Sequence, residues 1–236
     1  MAEGDVRQRL AAILAADVAG YSRLMGDDEP ATIATLTAYR AVFRTHIEAN
    51  GGRVVDMGGD SVLAVFDRAT GAVKTAVDTQ AELGVLNAVL QDHHQMHFRI
   101  GVNLGDIREA EDGTVYGDGV NVAARLEGLA SPGGVMLSES AHLQVRRDPA
   151  LTFVDAGEHE VKNITEPVRA FRIVAEGEVA PPPARRRYAY IPGDRRRHLV
   201  ADPRGTTGAD GHRRRRADRR SGARGAHWPG DRGTPL

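Results

Sequence analysis

The stretch Val54-Val55-Asp56-Met57-Gly58-Gly59-Asp60-Ser61-Val62-Leu63-Ala64-Val65-Phe66 is two short apolar runs on either side of a Gly-Gly-Asp centre. Glycine supplies the positive φ that a tight turn needs, so the stretch predicts a β-hairpin. Upstream, residues 29–49 carry Ile33, Leu36, Tyr39, Phe43 and Ile47 at helical spacing. Before them, residues 10–18 form an apolar run that ends at Asp17 and fits a buried strand. Downstream, Ala69, Ala72, Val73, Ala76, Val77 and Leu83 make a second helical face. Residues 98–104 then return as a strand.

The resulting order is strand, helix, hairpin, helix, strand. This βαββαβ pattern predicts an α+β fold with a ferredoxin-like core and a mixed central sheet containing antiparallel pairs. Strands one and two must run parallel, because a helix crosses between them. Their carboxyl ends therefore share one edge of the sheet. Asp17 closes strand one and Asp60 follows strand two, so two residues distant in sequence become neighbours. Further strands and helices extend the core. Asp118 is placed as the cap of a helix running to about Ala130, which Ser131-Pro132-Gly133-Gly134 stops. A short strand at 135–137 and a helix at 139–146 follow. Closing strands at 152–154 and 168–174 flank a turn, Lys162-Asn163-Ile164-Thr165-Glu166-Pro167.

Composition divides the chain. The 236 residues carry a net charge of −1, but residues 181–236 hold 15 Arg against 5 Asp. The rest is correspondingly acidic, with 16 Lys or Arg against 27 Asp or Glu. Such asymmetry marks a boundary. Residues 1–9 read as an N-terminal extension, 10–175 as the folded domain, and 176–236 as a Pro/Arg/Gly-rich tail expected to be disordered. Arg clusters of this kind bind nucleic acid or anionic lipid through phosphate contacts; a solvated tail is the reading the composition favours. No run of 18 apolar residues is present, so no membrane span is expected. Cysteine is absent, which excludes disulfides and thiolate metal sites and suits a reducing cytoplasm. His93, His94 and His97 cluster without a carboxylate, a pattern that reads as a solvated loop more readily than as a zinc site.

Three segments carry chemistry. Ala15-Ala16-Asp17-Val18-Ala19-Gly20-Tyr21-Ser22 and Gly58-Gly59-Asp60-Ser61 each offer a carboxylate in a glycine-marked context. The third is Gly117-Asp118-Gly119-Val120-Asn121-Val122-Ala123-Ala124-Arg125-Leu126-Glu127, in which Asn121 and Arg125 share one helical face at i, i+4. After Asp17, the turn through Gly20, Tyr21 and Ser22 can point successive N–H groups at an anion. Carboxylates for hard cations, N–H groups for phosphate and an Arg for developing charge form a set suited to phosphoryl chemistry.

In their order, their spacing and the ending Val161-Lys162-Asn163-Ile164, these segments resemble the catalytic domain of the class III nucleotidyl cyclases, the adenylate and guanylate cyclases. The resemblance covers roughly residues 8–175. It implies that Asp17 and Asp60, with the Val18 carbonyl, hold two Mg²⁺ or Mn²⁺ ions. It implies that Asn121 orients the ribose, that Arg125 stabilises charge on the α-phosphate, and that Lys162 meets the triphosphate. It also implies a head-to-tail homodimer, because in the family the aspartates and the Asn/Arg pair of one site come from opposite subunits. A monomer is then expected to be inactive.

Two positions depart from the family pattern. The base-reading positions are Asp56 and Thr114, where adenylate cyclases typically place Lys with Asp or Thr. A carboxylate at 56 cannot donate to adenine N1, although it can accept from the 6-amino group. It can also accept from the N1–H and 2-amino group of guanine. Asp106 stands where some relatives carry a phosphate-binding Arg. The resemblance therefore implies a lyase that converts ATP to 3′,5′-cyclic AMP and pyrophosphate in intracellular signal transduction. A guanylate cyclase, or a degenerate cyclase-homology regulatory module, stays open as an alternative.

Overall fold

The 12 residues of β1 (Arg7–Val18) alternate between the two faces of one sheet. Ala12, Leu14, Ala16 and Val18 enter one core cluster, while Ala11, Ile13 and Ala15 enter another. The computed structural model, which describes residues 6–160 and 167–174, arranges the remaining elements around this strand. They are α1 (Tyr21–Asp27), α2 (Glu29–Ala49), β2 (Gly52–Asp56), β3 (Val62–Phe66), α3 (Ala69–Asn87), β4 (Phe98–Glu109), β5 (Val115–Tyr116), α4 (Asp118–Leu129), β6 (Val135–Ser138), α5 (Glu139–Val145), β7 (Phe153–His159) and β8 (Val168–Ile173). Among the described residues the strands form one eight-stranded mixed sheet, ordered β2-β3-β1-β4-β6-β8-β7, with β5 beside β4.

β1 pairs antiparallel with β3 on one side and with β4 on the other. β2 pairs antiparallel with β3, so β1 and β2 run parallel with β3 between them, as the split-βαβ reading requires. Ala16 lies opposite Val62, which sets the end of β1 against the β2–β3 turn. Helices α2 and α3 cover one face. Phe43 of α2 and Phe98 of β4 meet there with ring centroids 4.8 Å apart. Both are fully buried, each contributing about 1.5–3 kcal/mol through removal of apolar surface from water. Tyr39 and Asn87 of this layer satisfy one another: the Tyr39 hydroxyl donates to Asn87 Oδ1 at 2.8 Å, and Asn87 Nδ2 donates to the Met96 carbonyl at 2.9 Å. Helix α4 covers the opposite face.

Four expectations are revised. Ile33, placed in the α2 stripe, is exposed, and Thr32 is buried instead. Its hydroxyl donates to the carbonyls of Leu24 and Asp28, which anchors the first turn by hydrogen bonds rather than apolar contact. β1 begins at Arg7, inside the expected extension, because Arg7 pairs with Glu109 at the far end of β4. β4 does not stop at residue 104: it continues through Gly105 and Asp106, where the glycine makes room for α4 rather than ending the strand. Asp118 is not the cap of α4. Gly117, at φ 128°, holds that position without a side-chain hydrogen bond, and Asp118 lies in the first turn, where its charge complements the helix dipole. The expected turn at Lys162 and the tail from residue 176 lie outside the described residues.

Candidate active site

On β1 the face shared by Ala11, Ile13 and Ala15 continues to Asp17. On β4 the same face carries Arg99, Gly101, Asn103 and Gly105, and the ladder sets Asp17 directly opposite Arg99. The guanidinium grips the carboxylate with both prongs: Arg99 Nε donates to Asp17 Oδ1 at 2.9 Å and Nη2 to Oδ2 at 2.5 Å. The pairing raises the pKa of the Arg99 guanidinium above its ordinary value, chiefly through its hydrogen bond to Asp17.

Helix α4 brings a third group. Glu127 Oε1 lies 3.2 Å from Arg99 Nη2, yet it is buried and no donor hydrogen-bonds to it. Burial, followed by the hydrogen bond to Asp17 and the negative charges of Asp17 and Asp60, pushes the Glu127 carboxyl up to about 8; Arg99 pulls the other way. The approach is close because two strand–helix contacts lack side chains. A Cβ on Gly101 would stand 2.2 Å from the Ala123 carbonyl oxygen and 2.3 Å from the Glu127 nitrogen. One on Gly119 would stand 2.6 Å from the Asp106 carbonyl oxygen. Backbone therefore rests on backbone.

Asp60 is half-buried in the β2–β3 turn, close enough to Arg99 and Glu127 to act on both electrostatically. Gly59 takes φ 59° there. Ser61 donates twice to the Gly58 carbonyl, through N at 3.2 Å and Oγ at 2.9 Å. Arg40 of α2 donates to the Gly59 carbonyl. The turn is thus fixed from two sides.

Val18, the last residue of β1, is paired with Phe98. Beyond it, the Ala19 N–H donates to the His97 carbonyl at 2.9 Å, and Gly20, at φ 72°, caps α1. Its carbonyl accepts from Arg23 and Leu24. Tyr21 and Ser22 occupy the first helical turn, whose N–H groups have no acceptor within the helix. Asp17, Val18, Asp60 and this turn therefore gather at one edge, as the parallel-strand rule predicts.

The other expected residues lie elsewhere. Asn121 and Arg125 project from the exposed side of α4, and neither side chain makes a hydrogen bond or ion pair with the described residues. Arg125 precedes Glu127 by two positions, about 200° around the helix. Since Glu127 faces Asp17, Arg125 points away from the aspartates of its own chain. Asp56 and Thr114 are exposed. Arg53 ties their neighbourhoods together, donating to the Gly113 carbonyl at 3.1 Å and to Glu109 Oε1 at 2.5 Å. Asp106 is exposed on β4 opposite Leu10, at the other end of the β1–β4 ladder from Asp17. It borders a cleft of about 750 Å³ also lined by Asn103, Asp118, Ser140 and Arg169. Lys162 lies outside the described residues.

Two carboxylates and a carbonyl are hard oxygen donors. They suit Mg²⁺ or Mn²⁺, which complete their shells with water and substrate phosphate. Among the described residues no set of three His, Cys, Asp or Glu side chains has metal-site spacing.

Residues 6–175 match the family model of the adenylate and guanylate cyclase catalytic domain. The chain belongs to that family. It is 45% identical over 184 residues to a Rhizobium meliloti protein named, provisionally, adenylate cyclase 3; the match covers 78% of this chain and 31% of that protein. The chain thus spans about a third of that relative's length. Among solved structures, an adenylate/guanylate cyclase/hydrolase from Silicibacter pomeroyi superposes with a TM-score of 0.68 at 39% identity, covering 73% of this chain and all of that one. An adenylyl cyclase from P. aeruginosa shares the fold, with a TM-score of 0.65 at 20% identity over 72% of this chain and 96% of that one. In this cyclase domain, Arg99 and Glu127 are the site residues that motif reading passed over. Among the described residues no helix is long and apolar enough to cross a membrane.

Proposed function

We propose that this cyclase domain converts ATP to 3′,5′-cyclic AMP and pyrophosphate. The observation that carries the proposal is the convergence of Asp17 and Asp60 at one sheet edge, on chains of contacts that fix both. In the reaction the ribose 3′-hydroxyl gives up its proton to solvent as its oxygen bonds to the α-phosphorus, the bond from that phosphorus to the bridging oxygen breaks, and pyrophosphate leaves with the electron pair. Asp17, Asp60 and the Val18 carbonyl would hold two divalent cations, which when bound supply charge neutralisation at the attacking and leaving oxygens. The N–H groups of Gly20, Tyr21 and Ser22 receive phosphate oxygens at the start of α1, with Lys162 as a further phosphate contact. Arg125 meets the charge that grows on the α-phosphate, and its fixed fork of donors needs no reorganisation to do so. Asn121, one turn earlier, orients the ribose.

Because Arg125 points away from its own aspartates, it serves the aspartates of a second copy. This supports a head-to-tail homodimer with two shared sites. Asp56 and Thr114 face the base. The Asp56 carboxylate is exposed at the end of β2 and accepts no hydrogen bond from the described residues, and as an acceptor it favours a second reading, guanylate cyclase.

Mn²⁺-dependent turnover of ATP and GTP, side by side on the full chain with Asp60→Ala as control, tests both. Cyclic AMP from the parent and none from the variant is the expected result. Cyclic GMP would transfer Asp56 to guanine. Silence with both, from a protein shown to be dimeric, would overturn catalysis and leave a regulatory module.

A further inference from the structure

In a regular strand Asp56, three residues after Arg53, would point to the opposite face of the sheet. A bulge in β2 prevents this. Arg53 lies opposite Val65 and Val54 opposite Ala64, but Asp56 lies opposite Leu63, one partner short of a regular ladder. Leu63 and Val65 both pack with the cluster that holds Ile107 and Val115, so the bulge turns Asp56 onto the face of Arg53. Thr114 closes the turn from β4 to β5, beside the buried Val115 of the same cluster. The Ala110 N–H donates to the Thr114 carbonyl at 2.9 Å, and the Thr114 N–H donates to Asp112 Oδ1 at 2.9 Å. This turn sits at an unbraced corner. β3 pairs with β1 only from Ala12 to Ala16, whereas the β1–β4 ladder runs on to Arg7 and Glu109. Among the described residues the part from Arg7 to Ala11 has no third strand on the β3 side. Side chains supply the brace. Glu109 gives one oxygen to each of two guanidinium groups: Oε2 accepts from Arg9 Nε at 2.9 Å and Oε1 from Arg53 Nη2 at 2.5 Å. Arg53 Nη1 donates to the Gly113 carbonyl at 3.1 Å. A single arginine on β2 therefore holds the residue that enters the turn and a residue within it.

We infer that Arg53 is a positioning residue for base selection: its two-pronged hold on Glu109 and Gly113 fixes the Thr114 turn relative to Asp56. The inference rests on the reading of Asp56 and Thr114 as the residues that face the base. Asp56 follows Arg53 by three residues on β2, and Thr114 follows Gly113 directly, so one guanidinium ties both readers to each other. Adenine and guanine share a ring system and differ in the donors and acceptors on its rim. Telling them apart requires readers held to within a fraction of a hydrogen-bond length. Both terminal nitrogens of Arg53 are engaged on acceptors of its own chain, so it acts through Asp56 and Thr114 rather than by touching the nucleotide. The triphosphate, common to both nucleotides, is met elsewhere. Arg53 thus governs the choice between bases and not the uptake of nucleotide as such.

The test is calorimetric binding of two unreactive probes to the full chain with Mn²⁺: ATP and GTP carrying a methylene group between the α- and β-phosphorus. Hydrogen exchange of residues 110–115 is measured alongside. Arg53→Met keeps the aliphatic stem and loses both donors. It is expected to bring the two affinities about fivefold closer together, the upper end of what an exposed ion pair contributes. It should also speed exchange in 110–115 by a similar factor and leave β6 unchanged. Arg53→Lys keeps the charge but has no fork to hold two acceptors, and should fall between. In the Asp56→Ala, Thr114→Ala chain, Arg53→Met should change the ratio of affinities by less than about twofold, because no reader is left to position. Arg53→Gln repeats the comparison should Arg53→Met not fold. An unchanged ratio in Arg53→Met, with or without equal weakening of both probes, would overturn the inference. Full parental discrimination by Arg53→Lys would overturn it as well, since charge alone would then suffice. The Asp56→Ala, Thr114→Ala chain separates this from the underlying reading. If it discriminates as the parent does, or if the parent binds both probes alike or neither, the base-reader assignment itself is wrong and the inference falls with it.

Discussion

Asp17 is gripped by two hydrogen bonds from Arg99 and crowded by Glu127, whereas Arg125, on the same helix as Glu127, touches no polar group of the described chain. The two sides of α4 are finished in opposite ways. One is packed against β4 and closed by charges from its own chain. The other presents a guanidinium and an amide to the outside, with nothing to hold them. On the proposed reading, the exposed guanidinium and amide contribute to the site of a second copy. The difference between the two sides can be attacked experimentally.

The largest effect should come from the closed side. Asp60→Ala is expected to lower Mn²⁺-dependent turnover by about 10³-fold or more, because on the proposed reading Asp60 would hold the cations that supply charge neutralisation. A loss below tenfold would remove Asp60 from the ligand set. On the open side, Arg125→Ala should cost about 10²–10³-fold in turnover and leave the melting temperature unchanged, as expected of a residue with no partner in its own chain. Mixing the two inactive chains sharpens the comparison. If sites are shared, an equal mixture regains about a quarter of wild-type activity, since half the dimers carry one intact site. No recovery from chains shown to exchange would mean that each chain builds its site alone.

A smaller effect concerns the closed side by itself. A carboxyl raised from about 4.5 to about 8 binds its proton more tightly in the folded state. Its contribution to stability is therefore fully present below about pH 4.5 and is lost as pH rises through about 8. In metal-free buffer the parent should lose about 2 kcal/mol more than Glu127→Gln between pH 5 and pH 9, less than the whole shift corresponds to because solvent screens part of the interaction. Parallel melting curves for the two proteins would show that Glu127 is not held protonated. The smallest change expected is in base choice. Asp56→Lys, which places a donor where the carboxylate stands, should move the ATP-to-GTP ratio of kcat/KM toward ATP by about tenfold.

Much of this arrangement is legible in the chain. Asp17 and Asp60 could be brought together on paper because a helix between two strands forces them parallel, a rule that needs no side-chain detail. Asn121 and Arg125 follow from helical spacing. Arg99 and Glu127 were harder. Arg99 sits in an apolar strand, where a charge demands a partner, but naming that partner requires the β1–β4 register, which Gly105 and Asp106 obscured by reading as a strand end. Glu127 reads as surface because it follows Arg125 closely. The clue is its i, i+4 relation to the buried Ala123, which puts it on the inward side. Thr32 in place of Ile33 is a similar case: hydrogen bonds decided which face turned inward, and a hydrophobic stripe does not record them.

The glycine contacts between β4 and α4 have one further consequence. With no side chains as a gasket between strand and helix, α4 is keyed to β4 by the shape of its main chain. It can neither roll nor slip by a residue without driving a carbonyl into a strand. The aim of Arg125, which no contact of its own fixes, is thus inherited from two absent methyl groups on the other side of the helix. An alanine at Gly101 would misdirect the guanidinium without coming near it.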